Sequence, residues 1–221
     1  MRLLILPYQI RMIAHALTII SNELHQHVNN AYRPPDQNIV VNLGNLVEGM
    51  TEGNIKSRNE IILSVVNIRE EKTLKNLPNY VRNEVTLKAS YENPPVFLNF
   101  LILVTITHTD YYDALSMLSR VIRFFQFRNV FTHDNVLPGS LTTKAPNNAL
   151  DQLETFKLIF DFYSPTLEEV NQLWGTLGGK QYPSVLYMLR LLDLKFKAVQ
   201  SESGLITEVV SDFYHKKTVR N

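Results

Sequence analysis

The chain contains no cysteine among its 221 residues. Disulfide bonds, zinc–thiolate sites and cysteine nucleophiles are therefore excluded. The absence of cysteine does not indicate whether the protein works in an oxidising or a reducing compartment. Long apolar runs are also missing, since none reaches the roughly 18–20 residues of a membrane-spanning helix. The short run at residues 3–6 stops at Pro7, before the roughly 7–15 apolar residues at the centre of a secretory signal. We therefore expect a soluble protein.

Charge is scarce and nearly balanced. Charged residues make up 19% of the chain, and 22 Lys and Arg face 21 Asp and Glu, for a net charge of +1. Without a basic surplus the chain lacks the field that binds nucleic-acid phosphates, so we expect no nucleic-acid partner. The low charge content leaves less solvated surface per residue, which favours a subunit that hides surface in an assembly.

The apolar pattern predicts helices and strands in alternation. We expect helices at about 9–28, 110–127 and 166–178. Strands are expected at 39–44, 60–68, 96–108, 130–132, 153–163 and 184–199, with polar excursions at 69–93, where Glu84 to Leu87 alternate as in a hairpin, and at 133–151. This order predicts one α/β (α+β) domain in which helices flank a mixed β-sheet.

Periodicity also assigns the buried faces. The strand at 96–108 is apolar on both sides, which is typical of a central strand covered on both faces. One of its faces carries Val96, Leu98, Phe100, Ile102, Val104 and Ile106, and the other carries Phe97, Leu101 and Leu103. The first helix is expected to bury Ile10, Ile13, Leu17, Ile20 and Leu24. The helix at 110–127 is expected to bury Tyr111, Leu115, Leu118, Ile122 and Phe125.

The segment GTLGGK, residues 175–180, invites comparison with a phosphate-binding loop. Such a loop needs four residues between its glycines, a Ser or Thr after the lysine, and a position between a strand and a helix. Here three residues separate Gly175 from Gly179, Gln181 follows Lys180, and the segment leads from a helix into a strand. Gly178 or Gly179 is therefore predicted to end the helix in the left-handed conformation, with Trp174 as a core or interface anchor.

Candidate catalytic and metal-binding residues are isolated. His108 and Asp110 flank a strand-to-helix turn, and His133 stands in a loop, but Asp110 is explained as a helix N-cap and no nucleophile accompanies them. His25 and His27 lie two residues apart on a helix, so they point to nearly opposite sides and cannot share a metal. We expect no catalytic residue, metal, cofactor or small-molecule substrate.

Four stretches together resemble one family: VNIREEKTLKN (66–76), PPVFLNFLILVT (94–105), YYDALSMLSRVIRFFQFRNVFT (111–132) and EEVNQLWGTLGGKQYPSVLYMLRLL (168–192). They resemble the tail-terminator, or cap, proteins of extracellular contractile injection systems of the anti-feeding-prophage type. The resemblance covers about residues 12–195. It implies a phage tail-terminator-like domain at 12–199, with an extension at 1–11, either an added arm or a misjudged start, and a polar tail at 200–221.

This resemblance implies a structural role without catalysis. The family forms a homo-oligomeric ring of six subunits that caps the inner tube and the sheath opposite the baseplate, stops polymerisation and helps to fix particle length. The expected partners are further copies, the inner tube protein and the sheath protein. Assembly is expected in the cytoplasm, within a phage-tail-like particle that can be released.

Six residues are the candidate protein interface. Arg69, Glu70, Glu71 and Lys72 form a dense charge cluster at a strand end, and Trp174 and Tyr182 lie in the segment that carries the resemblance most specifically. Two alternatives stay open. One is an adaptor that links the particle to a membrane or another component through residues 1–11 or the basic tail from His215. The other is an enzyme with a cleft at His108, Asp110 and His133.

Overall fold

The computed structural model describes residues 12–32, 39–46, 59–74, 78, 80–83, 85–91, 96–148, 151–153, 156–179, 181–194 and 201–204. The described residues do not include the segment 1–11, which contains Ile10, nor Lys180, nor the tail around His215. The interpretations placed on them therefore stay predictions.

The described elements follow one another as helices and strands. They are α1 (Met12–Tyr32), β1 (Val40–Leu43), β2 (Glu60–Glu70), β3 (Tyr80–Asn83), β4 (Lys88–Tyr91), β5 (Val96–Ile106), α2 (Tyr111–Phe127), β6 (Val130–Thr132), α3 (Pro138–Thr142), β7 (Lys157–Tyr163), α4 (Leu167–Thr176), β8 (Ser184–Leu194) and β9 (Ser201–Gly204). A short 3₁₀ turn, Lys72–Leu74, follows β2.

Six of the strands form a mixed sheet in the order β1-β2-β5-β8-β7-β6. The β1–β2 pair is parallel and the other pairs are antiparallel. β5 lies inside the sheet between β2 and β8, as its two apolar faces predict. The expected α+β fold, a mixed sheet flanked by helices, is confirmed.

The first face of the sheet, which bears Phe100, Ile102, Val104 and Ile106 of β5, packs against α1 and α2. Ala16, Ile19, Ile20, Leu24 and Val28 of α1 join this first core, as does an aromatic group from α2 and three strands. In that group the ring centroids of Phe125 and Phe160 lie 4.9 Å apart, and those of Phe125 and Tyr187 lie 4.5 Å apart. Ring centroids at these distances are in favourable aromatic contact, so this group contributes to the stability of the first core.

Buried polar groups of α1 tie this face to the segments after α2. Glu23 Oε2 lies 2.7 Å from Arg128 Nη1, and Glu23 Oε1 accepts a 2.7 Å hydrogen bond from the Leu137 N–H. His15 Nε2 lies 3.1 Å from the Leu141 carbonyl oxygen, and its Nδ1 accepts a 2.9 Å bond from the Leu153 N–H. Both contacts are satisfied by a neutral ring with its hydrogen on Nε2.

The second face of the sheet packs on α4. Its core joins Leu46, Leu103, Trp174 and Leu186, with Val170 and Leu173 of α4 packed against them. Thr166 and Glu169 form the predicted capping box at the start of α4. Gly178 and Gly179 both have positive φ, and the Gly179 N–H donates to the Trp174 carbonyl oxygen at 2.8 Å. The predicted glycine stop of this helix is confirmed.

The buried face of α2 was predicted wrongly. The helix buries Ala114, Met117, Val121, Phe124 and Phe125, whereas Tyr111 and Leu115 are exposed. Leu118 and Ile122 pack at the margin of the core. Apolar residues cover more than half of the circumference of α2. The 3.6-residue period therefore fits two buried stripes that are shifted by about one residue, and the contact with the sheet determines which of them is buried.

Three further predictions differ from the structure. The hairpin expected within 69–93 is present as β3 and β4, but Val85 to Leu87 form its turn and not a strand, because the Asn83 side chain accepts hydrogen bonds from the Val85 and Thr86 N–H groups. The excursion at 133–151 contains the short helix α3, started by Pro138. In the segment predicted as a polar tail, β9 pairs with β4.

The chain divides into two compact units. Unit 1 comprises Met1–Lys72 and Val96–Leu194 and holds the six-stranded sheet. Unit 2 comprises Thr73–Pro95 and Lys195–Asn221, and its described strands form a three-stranded antiparallel sheet in the order β3-β4-β9.

Candidate protein-interface site

The predicted charge cluster lies at the end of β2. Arg69 pairs in register with Asn99 of β5, and the side chains of Arg69, Glu70 and Lys72 are exposed. Glu71 is half-buried and held in place, because its N–H donates to the Phe97 carbonyl oxygen at 2.8 Å and its Oε2 accepts from Asn99 Nδ2 at 2.9 Å. The cluster therefore has a fixed acidic member and exposed members beside it.

Electrostatics connect Arg69 to the start of α4. The Tyr163 hydroxyl donates to Glu169 Oε1 at 2.9 Å, and this hydrogen bond raises the pKa of Tyr163. Hydrogen bonds from the Thr166 N–H and from Tyr163 lower the pKa of Glu169, and the charge of Arg69 lowers it further. Sequence patterns did not single out Tyr163, whose partner lies six residues away across a turn.

Trp174 lies within the second core of its own chain. Its side chain is 7% exposed and shares that core with Leu103 and Leu186. An interface role for Trp174 would therefore act from beneath the surface, through the residues that it supports. The glycines that follow it end α4, so this segment has the geometry of a helix C-cap.

Tyr182 borders a groove with a volume of about 580 Å³ between α4, the end of β7, the start of β8 and the start of α2. Of the described residues that line it, none carries a charge. Its aromatic members are Tyr111, Phe162, Tyr163, Trp174 and Tyr182. We call this the aromatic groove; it brings together two predicted interface residues, Trp174 and Tyr182, and its other members come from distant parts of the sequence.

Of the residues of the enzyme alternative, His108 and Asp110 lie together in the turn into α2, and His133 lies after β6. His108 Nδ1 accepts from the Asp110 N–H at 3.0 Å, and Asp110 Oδ1 accepts from the Asp113 N–H at 3.0 Å, so both serve the turn into α2. His133 is exposed after β6, with its ring 6.2 Å from that of Phe156. None of the three lines the aromatic groove or the groove of about 460 Å³ beside Leu46.

The two histidines of the H-x-H pair have different surroundings. The side chain of Asn29 contacts His25, whereas the His27 ring lies 5.0 Å from that of Phe124, and burial lowers the pKa of His27. Within the described ranges no three acidic, His or Cys side chains cluster as metal ligands would. No helix in the described part of the chain combines the length and apolar character that crossing a membrane requires.

Residues 15–208 match the Pvc16 N-terminal domain family, so the chain belongs to that family. Two similar solved structures are a PVC sheath/tube terminator in the extended state, from an extracellular contractile injection system, and the anti-feeding prophage cap, a tube-terminating cap. The first has a TM-score of 0.58 and 14% identity, and the match covers 94% of this chain and 65% of that one. The second has a TM-score of 0.56 and 13% identity, and the match covers 90% of this chain and 60% of that one.

The predicted resemblance to terminator and cap proteins is thereby confirmed. The chain spans about two thirds of the length of the first structure and less of the second. At these identities the likeness concerns the fold. A comparison with curated protein sequences finds no match.

Proposed function

We propose that the chain is a structural cap of a contractile injection system, without catalytic activity, that ends the inner tube and the sheath. The observation that carries this proposal is family membership across residues 15–208, supported by a fold shared with a sheath/tube terminator and a tube cap. Copies would form a closed ring, six by analogy with the family, at the end opposite the baseplate. Assembly would take place in the cytoplasm, as part of a particle of the extracellular type.

The sheet edges support a terminating role. Termination requires that the outer side of the cap offers no template for another layer. The two edge strands among the described residues are short, with four residues in β1 and three in β6, whereas the inner strands β2, β5 and β8 each have eleven. Short edges leave few backbone groups with which a further strand could pair.

The two clusters of predicted interface residues would have separate tasks. The exposed charges Arg69, Glu70 and Lys72 would contact the tube or a neighbouring subunit. Trp174 and Tyr182 would shape the aromatic groove. Exposed charges mainly set orientation and association rate, whereas buried aromatic anchors supply most of the affinity.

The proposal is tested with tube protein that polymerises in vitro. Added in substoichiometric amounts, the chain should bind one tube end and shorten the length distribution seen by electron microscopy. The double variant Glu70→Lys, Glu71→Lys should lose this effect. Glu71→Gln, whose amide oxygen can still accept from Asn99, and Asp134→Lys, at an exposed position after β6, should retain it. Tubes of unchanged length with the wild-type chain would refute the cap function.

A further inference from the structure

The tip of the β3–β4 hairpin is apolar and points into solvent. Val85 is 94% exposed and Leu87 is 53% exposed, with Thr86 between them. The Asn83 side chain fixes the turn, since its Oδ1 accepts from the Val85 N–H at 3.0 Å and from the Thr86 N–H at 3.1 Å. The tip is therefore a defined turn that presents two apolar side chains.

Leu87 also adopts a conformation that leucine disfavours. Its φ is +51°, in the left-handed region where glycine or asparagine is usual and where a larger side chain is strained. A turn selected only for folding would have Gly or Asn at this position. An exposed leucine held against its backbone preference is typical of a residue kept for a contact.

The aromatic groove has the complementary character. The described residues that line it carry no charge, and its volume of about 580 Å³ lies in the range of roughly 300–1,000 Å³ typical of binding pockets. Phe162, 60% exposed, and the half-buried Tyr182 provide apolar walls. The side chains of Val85, Thr86 and Leu87 carry no charge, so they can enter such a groove without desolvating an unpaired charge.

We propose that the tip residues Val85, Thr86 and Leu87 of one copy dock into the aromatic groove of a second copy. A tip and a groove are different surfaces, so the contact is heterologous and repeats from copy to copy until a ring closes. The inference deepens the proposed function and rests on it. It identifies the contact that joins neighbouring subunits of the ring.

Because the chain lacks cysteine, cross-linking tests this contact cleanly. Two single variants, Leu87→Cys and Phe162→Cys, are mixed at equal concentration and oxidised. The geometry predicts a disulfide-linked heterodimer, at least about tenfold more abundant than from Leu87→Cys mixed with Phe127→Cys. Phe127 is an exposed apolar residue at the opposite end of α2 from Tyr111, so it controls for chance collisions.

The variant Leu87→Asn separates docking from folding. Asparagine tolerates the left-handed conformation, so the monomer should unfold at the wild-type midpoint or above it. Loss of the buried leucine should weaken self-association, followed by analytical ultracentrifugation, about tenfold or more. Phe127→Asn should leave association unchanged.

Heterodimer yields equal to the Phe127 control, or unchanged association of Leu87→Asn, would overturn the inference. If the Leu87→Cys variant instead became protected from a thiol reagent only by added tube protein or by anionic phospholipid vesicles, the tip would have that partner and the inference would be wrong. If the wild-type chain caps tubes but the Leu87→Cys and Phe162→Cys variants form no disulfide-linked heterodimer, only the docking inference is refuted. If the heterodimer forms but the wild-type chain does not cap tubes, only the proposed function is refuted.

Discussion

The two faces of the six-stranded sheet are covered by different means. On the first face, α1 and α2 bury a continuous apolar core, and buried polar bonds from Glu23 and His15 fasten it. On the second face, among the described elements, the ten residues of α4 cover a smaller core and leave the aromatic groove at its margin. The first core therefore provides most of the stability, whereas the aromatic groove, which also reaches Tyr111 of α2, is the surface proposed for contacts.

The largest expected difference lies between the first core and the aromatic groove, and it is seen in two phenylalanines of β7 that point to the same face of the sheet. Phe160 is 2% exposed in the first core, whereas Phe162 is 60% exposed and lines the aromatic groove. Phe160→Ala should lower the free energy of unfolding by about 3–5 kcal/mol because it leaves a cavity. Phe162→Ala should cost less than about 1 kcal/mol and should weaken self-association instead. Urea unfolding and sedimentation measure the two effects; equal losses of stability would contradict the division between core and groove.

Two ion pairs of equal length give the next contrast. Both Glu23–Arg128 and Asp161–Arg190 have an N–O distance of 2.7 Å, but the Glu23 side chain is 3% exposed, whereas those of Arg190 and Asp161 are 54% and 42% exposed. Glu23→Ala should lower the free energy of unfolding by about 3 kcal/mol, because it removes the carboxylate partner of Arg128 Nη1 and leaves the Leu137 N–H without its acceptor. Asp161→Ala should change it by about 0–1 kcal/mol.

Urea unfolding in low and high salt checks both ion-pair values. The Asp161→Ala effect should shrink in salt, while the Glu23→Ala effect should persist because the buried carboxylate is screened less. A Glu23→Ala loss as small as that of Asp161→Ala would show that the buried bonds of α1 do not hold the first face.

A smaller effect should appear at alkaline pH. Burial raises the pKa of Tyr187, in the first core, to about 12, whereas an unfolded tyrosine titrates near about 10. The folded state therefore holds this proton more tightly than the unfolded state. The resulting stability is fully present below about pH 10 and is lost as the pH rises from there towards 12.

The variant Tyr187→Phe isolates this contribution. Its free energy of unfolding should fall less than that of the wild type between about pH 9 and pH 11, because phenylalanine has no proton to lose. A parallel fall in wild type and Tyr187→Phe would show that the Tyr187 proton does not contribute.

Local patterns predicted the elements of this fold well where neighbours in sequence determine them. The Thr166–Glu169 capping box and the glycine stop after Trp174 depend on residues within one or two turns of helix, and both were predicted. The two apolar faces of β5 were sufficient to place it inside the sheet. These features need no information about distant parts of the chain.

Features made by distant segments could not be predicted in this way. The orientation of α2 depends on how it meets the sheet, and β9 forms because its four residues pair with β4, more than a hundred positions earlier. The aromatic groove joins Tyr111, Phe162 and Tyr182, which lie on different elements and are not related by any helical or strand period. Trp174 was predicted as a core or interface anchor, and only the crossing of α4 over β5 and β8 shows that it lies in its own core.

The most direct test of the account is amide hydrogen exchange on the chain alone and during assembly with tube protein. Amides at residues 162–164, 181–182 and 184–186, beside the aromatic groove, and at the hairpin tip 85–87 should exchange about tenfold or more slowly after assembly, while those of α1 keep their rates. Protection confined to α1 and the first face, with the aromatic groove unchanged, would contradict it.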